Sequence, residues 1–345
     1  MKTPSALGLL VLAALSTGCV TSYNARPPLS FQDFDYSSPD GKPWPVKRLA
    51  LPDTAAAHGM AHPPEVAYVE LNPEGTQTVL FIHGLGSYLK FWRYQLDAFA
   101  QQGYRVLAVD LPGYGKSDKP ASFPYSMEAM GDAAHELAQK LGATKPILVG
   151  HSMGGQTSLS YALRYPEDVK AVVLTSPAGF ETFSAREKAW FIRAFSTTLV
   201  KSATEYGIWG SVRQSNFERW RPELNWLIEE RVRVAKSPEF DSYAYANVRT
   251  VNGLVHNDFV RQSLHRVSVP TLIIFGEDDR LIPNPFLHGG EARDIMAYGH
   301  AHIPGSKLVG LERCGHTVQM DCPQDYNQQV LAFLKGLESG GAARP

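Results

Sequence analysis

Ser152 stands in Gly150-His151-Ser152-Met153-Gly154, directly after the apolar run Ile147-Leu148-Val149, and that spacing suits a serine nucleophile. The hydroxyl must project from a sharp strand-to-helix turn, where side chains at the flanking positions would collide with strand and helix; Gly150 and Gly154 carry none. Serine is protonated at neutral pH. Attack on a carbonyl therefore needs a histidine to take the proton and a carboxylate to hold that histidine in the useful tautomer. His316, in Cys314-Gly315-His316, follows the apolar run Leu308–Leu311, and the acids of Gly276-Glu277-Asp278-Asp279 follow Thr271–Phe275. Donors for a tetrahedral oxyanion are expected in backbone N–H groups. Val79–Ile82 opens onto His83-Gly84-Leu85-Gly86, where Gly84 and Gly86 allow close main-chain approach, so Leu85 and Met153 are the expected donors. The helix beginning at Met153 would aim its positive end at the same point.

Four signatures carry a family resemblance: HGLG at 83–86, Asp110-Leu111-Pro112-Gly113-Tyr114-Gly115-Lys116-Ser117-Asp118, GHSMGG at 150–155, and the pair GEDDRLIP and CGH. Over about residues 60 to 337 the chain resembles capped α/β-hydrolases of the esterase, lipase and carbon–carbon-bond hydrolase group. The resemblance implies an α/β fold, a mostly parallel sheet flanked by helices with an inserted helical cap. It makes the fourth residue of G-x-x-D-x-x-x-P the acid, selecting Asp279 and leaving Asp278 as a turn or surface charge. It gives His83 and His151 supporting positions, and it implies no cofactor and no metal. Serine at 152, where haloalkane dehalogenases and epoxide hydrolases of this fold use aspartate, argues against those chemistries.

Three functions are weighed. The first is hydrolysis of a small or medium carboxylic ester through an acyl-enzyme, and the second is cleavage of a ring-cleavage diketone. The third is a lipid-anchored binding protein that kept the fold and lost catalysis. Fold resemblance alone does not separate them.

The elements that must position these residues alternate as strand and helix. Glu65–Leu71, Arg105–Val109 and Ala171–Leu174 read as further strands. Ser126 caps a helix with Gly142 beyond its end, and Pro323–Leu337 is an amphipathic final helix. From 181 to 262 the alternation stops in a helical stretch holding four of the six tryptophans, which reads as the cap. Of its aromatics, Trp190, Phe191, Phe195, Trp209, Phe217, Trp220 and Trp226, a minority would line a cavity. Arg219, Arg221, Arg231 and Arg233 interleave with glutamates and read as a solvated face. The hydrolase core is then 46–180 and 263–338, with a tail at 339–345.

Residues 1–18 read as an address: Lys2, an apolar stretch from Leu7 to Leu15 too short to span a bilayer, then Ser16-Thr17-Gly18-Cys19. Cys19 resembles a bacterial lipobox cysteine, with Ser16 where leucine is usual. The resemblance implies lipid attachment there and a periplasm-facing place in the envelope, at the outer membrane because Val20 and not aspartate follows; an ordinary cleaved signal is the alternative. Residues 19–45, rich in Pro, Ser and Asp, read as a linker. The formal net charge of −1 gives no footprint for nucleic acid, so the expected partners are a small ester substrate and the membrane through its lipid. Nothing in the sequence sets the oligomeric state. Cys314 and Cys322 could close a small loop beside His316 or remain free thiols. His288, His300 and His302 lack a matching set of metal ligands nearby.

Overall fold

The computed structural model describes residues 22–340. Eight strands form one sheet: β1 (Val46–Ala50), β2 (Glu65–Leu71), β3 (Thr78–Ile82), β4 (Arg105–Val109), β5 (Ile147–His151), β6 (Ala171–Thr175), β7 (Thr271–Gly276) and β8 (Lys307–Leu311). Their order is β1-β2-β4-β3-β5-β6-β7-β8. From β4 to β8 every pairing is parallel, while β2 runs antiparallel to both β1 and β4. This is the mostly parallel sheet flanked by helices that the resemblance implies. β3, β5, β6 and β7 are buried throughout, so they read as unbroken apolar runs, as a sheet covered on both faces requires.

β1 is absent from the sequence reading because it is a half-exposed edge strand. Its Lys47 and Arg48 look outward and pair with Glu70 and Glu65 across to β2, at 2.8 and 2.9 Å. Such an edge has charge where a buried strand has valine.

Between β6 and β7 the chain leaves the sheet for helices, including Ala185–Ala194, Thr197–Lys201, Glu205–Asn216, Trp226–Val234 and Phe240–His256. Ser184 begins this series with a capping box to Glu187. No helix among the described residues is long and apolar enough to cross a membrane.

The linker reading of 19–45 is corrected for the residues described, 22–45. Phe31, Phe34, Tyr36 and Trp44 are all buried in the main core. The segment is stitched to the cap by charge: Glu205 accepts the Ser22 hydroxyl at 2.8 Å and the Tyr23 and Asn24 amides at 2.9 and 3.1 Å. Glu239 accepts from Ser30 Oγ at 3.0 Å, and the Tyr36 hydroxyl donates to the buried Asp110 at 2.6 Å. Pro and Ser signal a lack of long regular elements, and the segment holds two short 3₁₀ turns, Tyr23–Ala25 and Phe31–Asp33; four buried aromatics fix it in place. The proposed signal, residues 1–18, and Cys19 lie outside the described residues, as does the end of the 339–345 tail.

Candidate active site

Parallel strands deliver the ends of β3, β5, β7 and β8 to one edge of the sheet, and β3 lies where the chain's winding reverses, the usual ligand crevice of such sheets. Ser152 follows β5 with φ 54° and ψ −117°, a strained turn that lifts its side chain off the strand, and the Met153–Arg164 helix begins at the next residue. A Cβ on Gly150 would overlap the carbonyl of Gly154, and one on Gly154 would overlap that of Ile82. Both elbow glycines are therefore demanded by close approach, between strand and helix and between helix and β3.

His316 is 3% exposed and its Nδ1 donates to Asp279 Oδ2 at 2.7 Å. The other oxygen of Asp279 accepts the amides of Leu281 and Ile282 at 2.8 and 3.1 Å, so both carboxylate oxygens are engaged and the side chain is fully buried. Asp278 is exposed. Glu181, a conceivable alternative acid, instead accepts from His288 at 2.6 Å and from the Asn284 amide at 2.5 Å.

Ser152, His151 and His316 line one cavity of about 350 Å³ with Leu85, Phe183, Phe191, Phe195 and Leu254 among its apolar walls. The amides of Leu85 and Met153 have no protein acceptor among the described residues. Gly84 has no room for a side chain against His151, and Gly86 adopts φ 69°, so each glycine of this loop has its own reason.

The oxyanion loop is braced from behind by His83. Its Nδ1 donates to the Gly84 carbonyl at 2.8 Å and its Nε2 accepts the Leu111 amide at 3.1 Å, which requires the neutral ring. Burial holds its pKa down at about 4. Asp110 organises the next loop: its carboxylate accepts the amides of Leu89 and Lys116 at 2.7 and 2.8 Å. A Cβ on Gly115 would strike that carboxylate and one on Gly113 would strike the Tyr125 ring and the Ala246 methyl, so the two glycines of the 110–118 signature have separate reasons. His151 is neutral as well, driven well below the ordinary histidine value by burial. Its Nε2 donates to the His316 carbonyl at 3.1 Å, so it positions the backbone of the candidate base.

These buried rings set a pH dependence of stability. For His83 the folded pKa, about 4, lies below the ordinary 6.5. Its contribution is therefore complete above the unfolded value and is lost as pH falls through the folded one, about 3 kcal/mol in all. Asp110, pushed up to about 6 by burial, acts in the opposite sense, since its folded form holds a proton that the unfolded form releases. The measurement is thus a difference: between pH 7 and pH 4.5, urea unfolding of wild type should lose more stability than that of His83→Asn. Equal losses would mean that the ring is not held neutral.

Several groups are not legible from sequence. Cys314 and Cys322 form a disulfide with Cα atoms 6.1 Å apart. Inside that loop the buried Asp321 accepts the Gly315 amide at 2.7 Å and also the amides of Glu218 and Arg219 at 2.7 and 2.9 Å, fastening the cap to the His316 loop. Asp321 carries no motif. Only its spacing between Cys314-Gly315-His316 and Cys322 hinted at a bracing role.

The arginine stretch divides. Arg233 pairs with Glu229 and Arg221 with Glu223, each at 2.8 Å, but neither is simply solvated: Arg233 also donates to the Pro27 carbonyl at 3.0 Å and Arg221 to the Asp321 and Met320 carbonyls at 2.9 and 2.7 Å. Arg231 departs further from the reading as a solvated face. It lines a second chamber of about 230 Å³ that shares Leu85, Phe91 and Asn216 with the first. It donates to the Tyr243 hydroxyl and has no carboxylate partner among the described residues. Of the cap aromatics, Phe191 and Phe195 line the catalytic cavity and Phe217 the second chamber. His300 bonds Ser306 at 3.0 Å and His302 bonds the Tyr298 carbonyl at 2.8 Å.

Residues 77–323 match the family described as alpha/beta hydrolase fold. Lipase 3 of Moraxella sp. (strain TA144) is 24% identical over 336 residues, spanning 96% of this chain and 98% of that protein. A 2-hydroxy-6-oxononadienedioate/2-hydroxy-6-oxononatrienedioate hydrolase of Paraburkholderia phymatum is 28% identical over 280 residues, 75% of this chain and 88% of its own. Among solved structures, a probable hydrolytic enzyme from Pseudomonas aeruginosa PAO1 superposes with a TM-score of 0.76 at 26% identity, covering 89% of this chain and 98% of the other.

Proposed function

This chain belongs to the α/β-hydrolase fold family, and from that premise we propose that it is a serine hydrolase cleaving carboxylic esters through an acyl-enzyme. One observation carries the reading: Ser152 and His316 face the same apolar cavity, and His316 Nδ1 is tied to a fully buried Asp279. In this mechanism His316 takes the Ser152 proton through Nε2 as the oxygen attacks the carbonyl. Asp279 keeps the Nδ1 proton in place and stabilises the imidazolium. The Leu85 and Met153 amides donate to the oxyanion, each contributing about 3 kcal/mol in comparable sites. His316 then protonates the leaving alcohol and activates water for deacylation. The cavity volume of about 350 Å³ suits a small or medium acyl group.

A second reading, hydrolysis of a ring-cleavage diketone, is favoured by Arg231, whose guanidinium faces the adjoining chamber and could meet a substrate carboxylate. A panel of p-nitrophenyl esters of rising chain length, run beside a vinylogous diketone and an aminoacyl amide, separates the two. We expect kcat/KM on the best ester to exceed that on the diketone by about tenfold or more. A diketone hydrolysed faster than every ester would replace the first reading with the second.

For location we propose cleavage before Cys19 and lipid attachment to it, which supplies membrane affinity to a chain with a net charge of only −1. That gives an envelope enzyme facing the periplasm, at the outer membrane. Fatty-acid labelling that fails on the wild type would leave only an ordinary cleaved signal.

A further inference from the structure

We propose that the outer face of the cap helices Ala185–Ala194 and Thr197–Lys201, together with Phe286, docks on an anionic lipid surface and opens the catalytic cavity toward lipid esters there. Trp190, Ile192, Leu199, Tyr206 and Phe286 are 45, 55, 51, 88 and 85% exposed. Among the described residues they are all but one of the large hydrophobics left in solvent, the other being Tyr245. A water-facing surface gains nothing from them; four of the five fall within residues 190–206 of the cap, and such exposed apolar side chains mark an apolar partner.

The 185–194 helix is apolar on two sides. Phe191 points to the catalytic cavity, while its neighbours Trp190 and Ile192 point to solvent. Phe286 joins this patch through its own loop: Asn284 lines the cavity, and His288 bonds Glu187 of the helix at 3.0 Å. Trp190, Ile192 and Phe286 therefore lie on segments that wall the candidate site.

Charge selects the partner. Arg186, Trp190 and Arg193 share a stripe at i, i+4 and i+7, and Arg213 follows on the Glu205–Asn216 helix. All three arginines are exposed, and none has an ion-pair partner among the described residues. The acids of these helices are occupied, Glu187 by Ser184 and His288 and Glu205 by the Ser22–Asn24 segment. The face thus presents tryptophan, isoleucine and leucine among uncompensated cations, the composition that binds anionic headgroups. A second copy across a two-fold axis would set these arginines against one another. Position agrees: Ser22 is held by Glu205, beside Tyr206, so Cys19 is three residues along the chain from this face. The lipid-ester half of the proposal rests on the ester-hydrolase reading, whereas the docking half does not.

Trp190 is the one exposed tryptophan of the six, so it reports docking directly. Full-length protein is mixed with phosphatidylcholine–phosphatidylglycerol vesicles carrying brominated acyl chains, and tryptophan quenching is read for wild type, Trp190→Phe and Ile192→Glu/Leu199→Glu. The wild type should be quenched about twofold or more beyond Trp190→Phe, and the double variant should fall to the Trp190→Phe level. Turnover of a soluble p-nitrophenyl ester without vesicles should stay within about twofold, because these side chains do not line the cavity. Equal quenching of wild type and Trp190→Phe, with or without vesicle association through the N-terminus, would overturn docking. So would a concentration-dependent dimer abolished by the double variant without any quenching. Intact docking with no ester turnover by any of the three proteins would instead overturn the hydrolase reading and the lipid-ester half with it.

Discussion

Replacing Ser152 with alanine is expected to lower ester turnover by about 10⁴-fold or more while leaving the protein folded. The substitution deletes one oxygen at a cavity wall. The turn itself is held by the main chain, with the Ser152 amide donating to the Thr175 carbonyl at 2.9 Å and the Ser152 carbonyl accepting the Gly155 and Ala178 amides at 2.9 and 3.0 Å. None of those bonds needs the hydroxyl, so circular dichroism and the thermal transition should be unchanged. Binding of ester should persist, since the apolar walls and the Leu85 and Met153 amides remain. A purified variant retaining more than about a tenth of wild-type kcat would remove serine from the mechanism.

How far the sequence reaches is set by how local each cause is. The elbow was legible because the collision that Gly150 and Gly154 avoid is a property of a few residues around one turn. β3 to β7 were legible because burial on both faces writes a nearly continuous apolar run, whereas β8 is a half-exposed edge marked only by Leu308, Val309 and Leu311. Asp321 was not, because its three amide partners come from the cap and from the His316 loop, a hundred residues apart in sequence. Arg231 was misread for a related reason. Helical spacing placed it with Arg233 on a charged face, whereas Phe240–His256 and the 22–45 segment close over it and make a chamber wall. The packing of Phe31, Phe34 and Tyr36 likewise depends on Tyr88, Tyr243 and Asp110, none of them near in sequence.

The two neighbouring acids differ most in what amidation would do. In Asp279 one oxygen is fixed by the Leu281 and Ile282 amides and the other receives His316 Nδ1–H. Asparagine at 279 would keep its carbonyl oxygen on the two amides, because those N–H donors need an acceptor and an NH₂ offers none, and would turn its NH₂ toward His316. Nδ1 must then accept, the ring proton moves to Nε2, and the nitrogen facing Ser152 can no longer take the serine proton. The negative charge that stabilises the imidazolium is lost in the same change. Asp279→Asn is therefore expected to reduce kcat on the order of 10⁴-fold with little change in fold, since every backbone bond survives. Asp278 is exposed and meets the Cys314 carbonyl only through its main-chain amide, at 3.0 Å, so Asp278→Asn should stay within about twofold of wild type. Steady-state kinetics of the two purified variants on one p-nitrophenyl ester decides the matter. Inverted effects would move the acid to Asp278, and two mild effects would free His316 from any dependence on this loop.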